Sequence, residues 1–217
     1  KNWLKNAVFY EIYPQSFNDT NADGIGDFNG IIEKLDYIKD MGFTAIWMNP
    51  CYKSPFYDAG YDVEDYYSAA PRYGTNEDLK RLFCEAHKRG IRVILDLVPG
   101  HTAITCEWFK QSAKAEKNEF SGRYIWTGSV WEGCDGISGI SGTLRGVSER
   151  DGSCAVNYYS TQPALNYGFA ELDKPWQSAV DSEEAMSTRK AILDVIRFWL
   201  GMASTFTIPG WSRRARI

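Results

Sequence analysis

The sequence has no run of lysine and arginine: 24 basic residues stand against 28 acidic ones, for a net charge of -4. A chain so balanced has no basic run with which to track a phosphate backbone, and no nucleic-acid partner is expected. No stretch approaches the roughly 20 apolar residues of a membrane span, and the opening Lys1-Asn2-Trp3-Leu4-Lys5-Asn6 lacks the apolar core of a signal peptide. A cytoplasmic protein without a membrane partner is expected. The five cysteines (Cys51, Cys84, Cys106, Cys134 and Cys154) are odd in number and show neither CxxC nor Cys/His spacing, against a disulfide framework or a zinc site. Cys134 and Cys154 alone share one Gly/Ser-rich stretch, where an oxidising compartment would let two thiols pair. No GxGxxG follows the first apolar run, against a dinucleotide fold, and no aspartate or glutamate occurs beyond Asp194.

What is present is enough for a core: 217 residues, 44% hydrophobic, with 8 Trp, 13 Tyr and 11 Phe. Most of these rings pack the interior, although sugar sites also use aromatic faces. The run from Ala7 to Pro14 reads as a buried strand ended by proline. Ile31, Leu35 and Ile38 then recur at helical spacing from Gly30, with Gly42 placed to end the helix. A second strand follows from Thr44 to Met48. Thr75 and Asp78 announce a capped helix with the stripe Leu79, Leu82, Phe83, Ala86 and a stop at Gly90, and Ile91 to Leu97 is the third strand. Alternating strands and helices with long polar loops after the strands predict parallel β/α units of the barrel kind.

Regular alternation stops after His101. The expected organisation is three β/α units over 1–101, an inserted domain over 102–176, a barrel helix over 177–202 and a divergent tail over 203–217.

Three loops carry candidate chemistry. Residues 19–27 place side-chain oxygens at every second position, with glycines for a tight wrap, and predict a Ca²⁺ or Mg²⁺ site from Asp19, Asn21, Asp23, Asp27 and the carbonyl of Ile25. It is not an EF-hand, since Gly30 occupies the position of the bidentate Glu. Ser54-Pro55-Phe56-Tyr57-Asp58-Ala59-Gly60-Tyr61-Asp62 follows the second strand, and Asp96-Leu97-Val98-Pro99-Gly100-His101 closes the third. Loops at that end of parallel strands converge, which predicts that Asp58, Tyr61, Asp96 and His101 share a pocket. Asp62 reads as a turn cap, and His87, in mid-helix, as structural.

These segments, with Ala7 to Phe17 and Gln162-Pro163-Ala164-Leu165-Asn166, resemble the α-amylase family of glycoside hydrolases, nearest its oligo-1,6-glucosidase and α-glucosidase branch. The resemblance runs from about Trp3 to Met202 and implies the N-terminal part of a (β/α)₈ barrel with a small domain inserted after the third strand. It implies that His101 hydrogen-bonds the sugar at the cleavage subsite, that Asp96 supports the site, and that Asp58 and Tyr61 hold the non-reducing sugar. Gln162 opens a further motif. Ala164 stands where that motif usually carries an acid, and Gly100 where an asparagine commonly precedes the histidine.

The family's cleavage with retention needs a nucleophile and a proton donor about 5 Å apart, both from later strands. Neither is found in this sequence. The tail suggests a shifted reading frame or a truncated gene model, which the nucleotide sequence around codon 202 would decide. The expectation is a hydrolase of α-linked oligosaccharides as the parent, with this chain inactive and self-association through an incomplete barrel edge. The alternative is a non-catalytic sugar-binding or interaction protein derived from the same fold.

Overall fold

The computed structural model describes residues 3–203. Along the chain these form β1 (Phe9–Ile12), α1 (Phe28–Glu33), α2 (Leu35–Asp40), β2 (Ala45–Met48), β3 (Tyr52–Lys53), β4 (Asp65–Ala69), α3 (Asn76–Lys88), β5 (Arg92–Leu95), α4 (Glu107–Ser112), β6 (Gly142–Leu144), β7 (Cys154–Val156) and α5 (Glu183–Ala203). They divide into two compact units. One takes in residues up to Cys51, Tyr67–Asp96 and α5 from Val195; the other takes in Tyr52–Tyr66 and Leu97–Asp194.

The first unit is a parallel sheet in the order β1-β2-β5, with Phe9 opposite Ala45 and Ala45 opposite Arg92. Parallel neighbours need helical crossovers, and α1, α2 and α3 supply them. Ile31, Leu35, Ile38, Leu79, Leu82 and Ala86 are fully buried, so the helical stripes read from the sequence are the ones that cover the sheet. Thr75 and Asp78 close a reciprocal capping box on α3. Gly42 and Gly90, both at positive φ, end α2 and α3 as the sequence predicts. The first expected helix differs in two respects. It begins at Phe28 because Asp27 caps it, and it breaks at Lys34, whose amide bonds back three residues to Ile31. Gly30 permits the start: a Cβ there would lie 1.9 Å from the carbonyl oxygen of Asn18.

The second unit has little regular structure. A ribbon pairs β6 with β7, and isolated bridges join His101 to Ala164 and Tyr124 to Leu165. Cys134, Ala155 and Ala164 form one buried cluster with Ile125, Ile137 and Ile140 against it. Phe109 stacks on Trp126 with centroids 5.8 Å apart and meets Tyr124 edge-on. This unit is wider than residues 102–176. It takes in 52–66 because Ala103 donates to the carbonyl of Val63, and Tyr66 bonds to the 98–101 segment. All five cysteines are free thiols, Cys134 and Cys154 included. Residues 204–217, most of the predicted tail, lie outside the described residues.

Candidate active site

Three of the four residues predicted to converge, Asp58, Tyr61 and His101, meet in the second unit, and Gln162 joins them. The loop carrying the first two is strained. Phe56 and Ala59 have φ of 60° and 51°, which side chains other than glycine's rarely adopt, and Gly60 follows at 99°. Asp62 holds it closed. Fully buried, its carboxylate accepts from the Ser54 hydroxyl at 2.9 Å and from the amides of Tyr57 and Asp58 at 2.9 and 3.2 Å. The turn-capping role expected of Asp62 is therefore what sets the direction of Asp58.

His101 is 4% exposed. Its Nε2 lies 3.0 Å from the carbonyl oxygen of Tyr61, and its Nδ1 lies 3.3 Å from the side-chain amide nitrogen of Asn157. A carbonyl only accepts and an amide nitrogen only donates, so the partners assign a neutral ring with its proton on Nε2. Burial lowers the His101 pKa, against weaker raising effects from Tyr61, Asp58 and Asp62. Tyr158, largely exposed, stands edge-on to the ring at 5.9 Å. The backbone around His101 is held by the buried Tyr66 hydroxyl, 2.6 Å from the carbonyl of Val98 and 2.9 Å from that of His101.

Gln162 is fully buried and donates to Asp58 at 2.6 Å, while its Oε1 accepts from the amide of Tyr159. One carboxylate oxygen of Asp58 is thus fixed, and the half-exposed group keeps acceptor capacity for a hydroxyl. Ala164 packs in the cluster of Cys134 and Ala155, an apolar setting in which an acid would be buried without a partner. Gly100 leaves room for Asn157: a Cβ at position 100 would come within 2.8 Å of that side-chain nitrogen. Asn157 was invisible to sequence reasoning, because nothing marks it before the chain folds. Asp96 belongs to the first unit. It follows β5 directly, its amide donating to the carbonyl of Met48 at 3.0 Å.

The loop of residues 19–27 is also in the first unit. Asp19 accepts from the amides of Asn21, Ala22 and Gly24, and the Gly24 bond above all holds its carboxyl below the usual carboxylate range. The side chains of Asn21 and Asp23 accept from the amides of Asp23 and Ile25. Asp27 is turned inward, accepting from Thr20 and from the amide of Gly30. Among the described residues no three Asp, Glu, His or Cys side chains gather as a metal requires. The donors are all hard oxygens, which suits Ca²⁺ or Mg²⁺ in kind, and an ion would need the Asn21 amide and the Ile25 carbonyl to complete its shell. Among the described residues no helix is long and apolar enough to cross a membrane.

The model of the α-amylase catalytic domain matches residues 11–211, reaching past Met202 into the predicted tail. An oligo-1,6-glucosidase of Heyndrickxia coagulans is 39% identical over 213 residues, covering 96% of this chain and 35% of the relative. Maltase A1 of Drosophila melanogaster is 47% identical over 203 residues, covering 92% and 33%. Among solved structures, the trehalose-6-phosphate hydrolase of Bacillus licheniformis superposes with a TM-score of 0.75 at 39% identity, covering 92% of this chain and 34% of its own. The chain thus spans about a third of the length of the relatives it matches, and its sheet is the first part of their (β/α)₈ barrel. With a family match over most of its length and a fold shared with these enzymes, the chain belongs to the α-amylase catalytic-domain family.

Proposed function

We propose that the protein to which this chain belongs hydrolyses α-glucosidic bonds of oligosaccharides with retention, and that this chain supplies the pocket for the non-reducing glucosyl unit. The observation that carries the reading is the cluster of Asp58, Tyr61, His101 and Gln162, with the Asp58 carboxylate fixed by Gln162 and the strained loop clamped by Asp62. Asp58 accepts from sugar hydroxyls and Tyr61 offers its ring face. His101 holds the carbonyl of Tyr61, so its ring reaches a sugar only by exchanging that bond. The maltase and oligo-1,6-glucosidase names of the relatives support an α-glucoside substrate. Five free thiols suit a reducing, cytoplasmic setting.

The loop of residues 19–27 holds one Ca²⁺ or Mg²⁺ through Asp19, Asn21, Asp23, Asp27 and the Ile25 carbonyl. Bound there, the ion would brace the loop ahead of α1 and take no part in bond cleavage. The uncovered sheet row of Glu11, Trp47 and Ile94, in register across three strands and exposed, supports association with further protein, a second copy included.

The deciding experiment assays the native-length protein carrying this sequence on p-nitrophenyl α-glucoside, maltose and isomaltose, following the released sugar by proton NMR. Release of α-glucose first is expected. Release of β-glucose first, or no release from any substrate, would overturn the reading.

A further inference from the structure

The second unit contains a cavity of about 470 Å³ separate from the residues of the candidate site. That volume falls within the roughly 300 to 1,000 Å³ typical of small-molecule sites. Its accessible aromatic lining is Phe169 and Trp176; Trp126 also lines it but is buried, and the rings are fixed in place. The indole of Trp176 donates to Glu132 at 2.8 Å, Phe169 meets Trp176 edge-on, and Trp126 is stacked on Phe109. Polar groups line it as well. Arg150 spends one guanidinium nitrogen on the carbonyls of Ser112 and Ser121 and lies 4.9 Å over the Trp126 ring. Glu183 and Glu184 present exposed carboxylates in the first turn of α5.

The charges lining the cavity cancel: Lys117, Arg123 and Arg150 against Glu119, Glu183 and Glu184. An anion or a cation therefore meets as much repulsion as attraction. A neutral molecule carrying many hydroxyls meets both acceptors and donors beside the rings of Phe169 and Trp176, which is the combination that a pyranose satisfies. We propose that this cavity is a second binding site, for an uncharged mono- or disaccharide, independent of Asp58 and His101.

The test is a titration of the chain with maltose, read in the indole N–H signals of its two-dimensional NMR spectrum, with Trp176 assigned through Trp176→Phe. A saturable shift of the Trp176 signal is expected in the wild type. It persists in Asp58→Asn, which removes a residue of the proposed active site alone, and weakens about tenfold in Arg150→Ala, the loss of roughly one charged hydrogen bond. Three results would overturn the proposal: a Trp176 signal unmoved by maltose in the folded wild type, a shift abolished by Asp58→Asn, or a shift produced instead by inorganic phosphate. Because the wild-type titration decides alone, a variant that failed to fold would not rescue the claim. Because Asp58→Asn separates the two sites, failure here is distinguishable from failure of the proposed function.

Discussion

Gln162 reaches Asp58 across 104 residues of sequence, donating at 2.6 Å from a fully buried position. The bond ties the loop after the second strand to the end of the irregular segment, and it sets one carboxylate rotamer. Gln162→Ala should leave the fold intact at a cost of about 1 to 2 kcal/mol, since Asp58 is half exposed and regains water. Asp62→Ala should cost more, about 3 kcal/mol, because a part-buried hydroxyl and two amides of the strained loop lose their acceptor together. Urea denaturation of both variants checks the ranking; equal losses would refute it.

Gly100 and Asn157 are linked through His101. In Gly100→Ala the new methyl should push the Asn157 amide off Nδ1, with a stability loss of about 1 kcal/mol because a flexible side-chain end gives way. The specific readout is the ring tautomer. Nitrogen-15 shifts should show Nε2 protonated in the wild type and a mixture in the variant. An unchanged tautomer would mean that Asn157 does not orient the ring.

His101 and His87 both have pKa values lowered by burial, with Arg92 contributing at His87. A histidine whose folded pKa is depressed gives stability that is complete above the unfolded value of about 6.5. That stability is lost as pH falls through 6.5 and on through the folded value, because the unfolded chain binds the proton first. Stability should therefore fall as the pH drops below about 6.5, and His101→Gln should flatten that slope. Asp58 and Asp62 face His101 and oppose the shift, so Asp58→Asn should lower the His101 pKa further. Titration of the histidine ring protons measures both effects.

The helices were legible where a local signal is strong. Thr75, Asp78 and the apolar stripe of α3 determine one another within a few turns, and the structure forms the box between them. The gap at Lys34 was not legible, because Ile31, Leu35 and Ile38 keep one periodicity across it and all three stay buried. In the candidate site Asp58, Tyr61, His101 and Gln162, recognisable by motif, lie together, while the groups that hold them did not announce themselves. Asn157, the hydroxyl of Tyr66 and the rings of the second cavity gain their roles only from contacts made across the irregular unit, where neither period 2 nor period 3.6 offers a guide.

For the loop of residues 19–27, millimolar Ca²⁺ should raise the thermal midpoint and a chelator should reverse it, by mass action on a site absent from the unfolded chain. Asp23→Ala should abolish the response with little cost in metal-free buffer, since its carboxylate is exposed and bonds only to the Ile25 amide and the Asn21 side chain. Terbium luminescence sensitised by nearby aromatics gives a second readout. No midpoint shift and no luminescence would remove the metal.

These 217 residues alone should not hydrolyse glycosides. Retaining cleavage needs two carboxyl groups about 5 Å apart across one bond, one to attack and one to give a proton. In the second unit, Asp62 is fully buried with Ser54, Tyr57 and Asp58 as donors and is closed to a substrate, and Asp58 is held by Gln162 as an acceptor for hydroxyls. No Asp or Glu follows Asp194. A positioned acid or base typically contributes 10² to 10⁴-fold in rate, so their joint absence should bring turnover to background. Purified chain assayed on p-nitrophenyl α-glucoside, isomaltose and sucrose beside Asp58→Asn makes the comparison. Turnover well above background in the wild type and lost in the variant would assign the chemistry to Asp58, and would make the strained loop that carries it a catalytic element instead of a binding one.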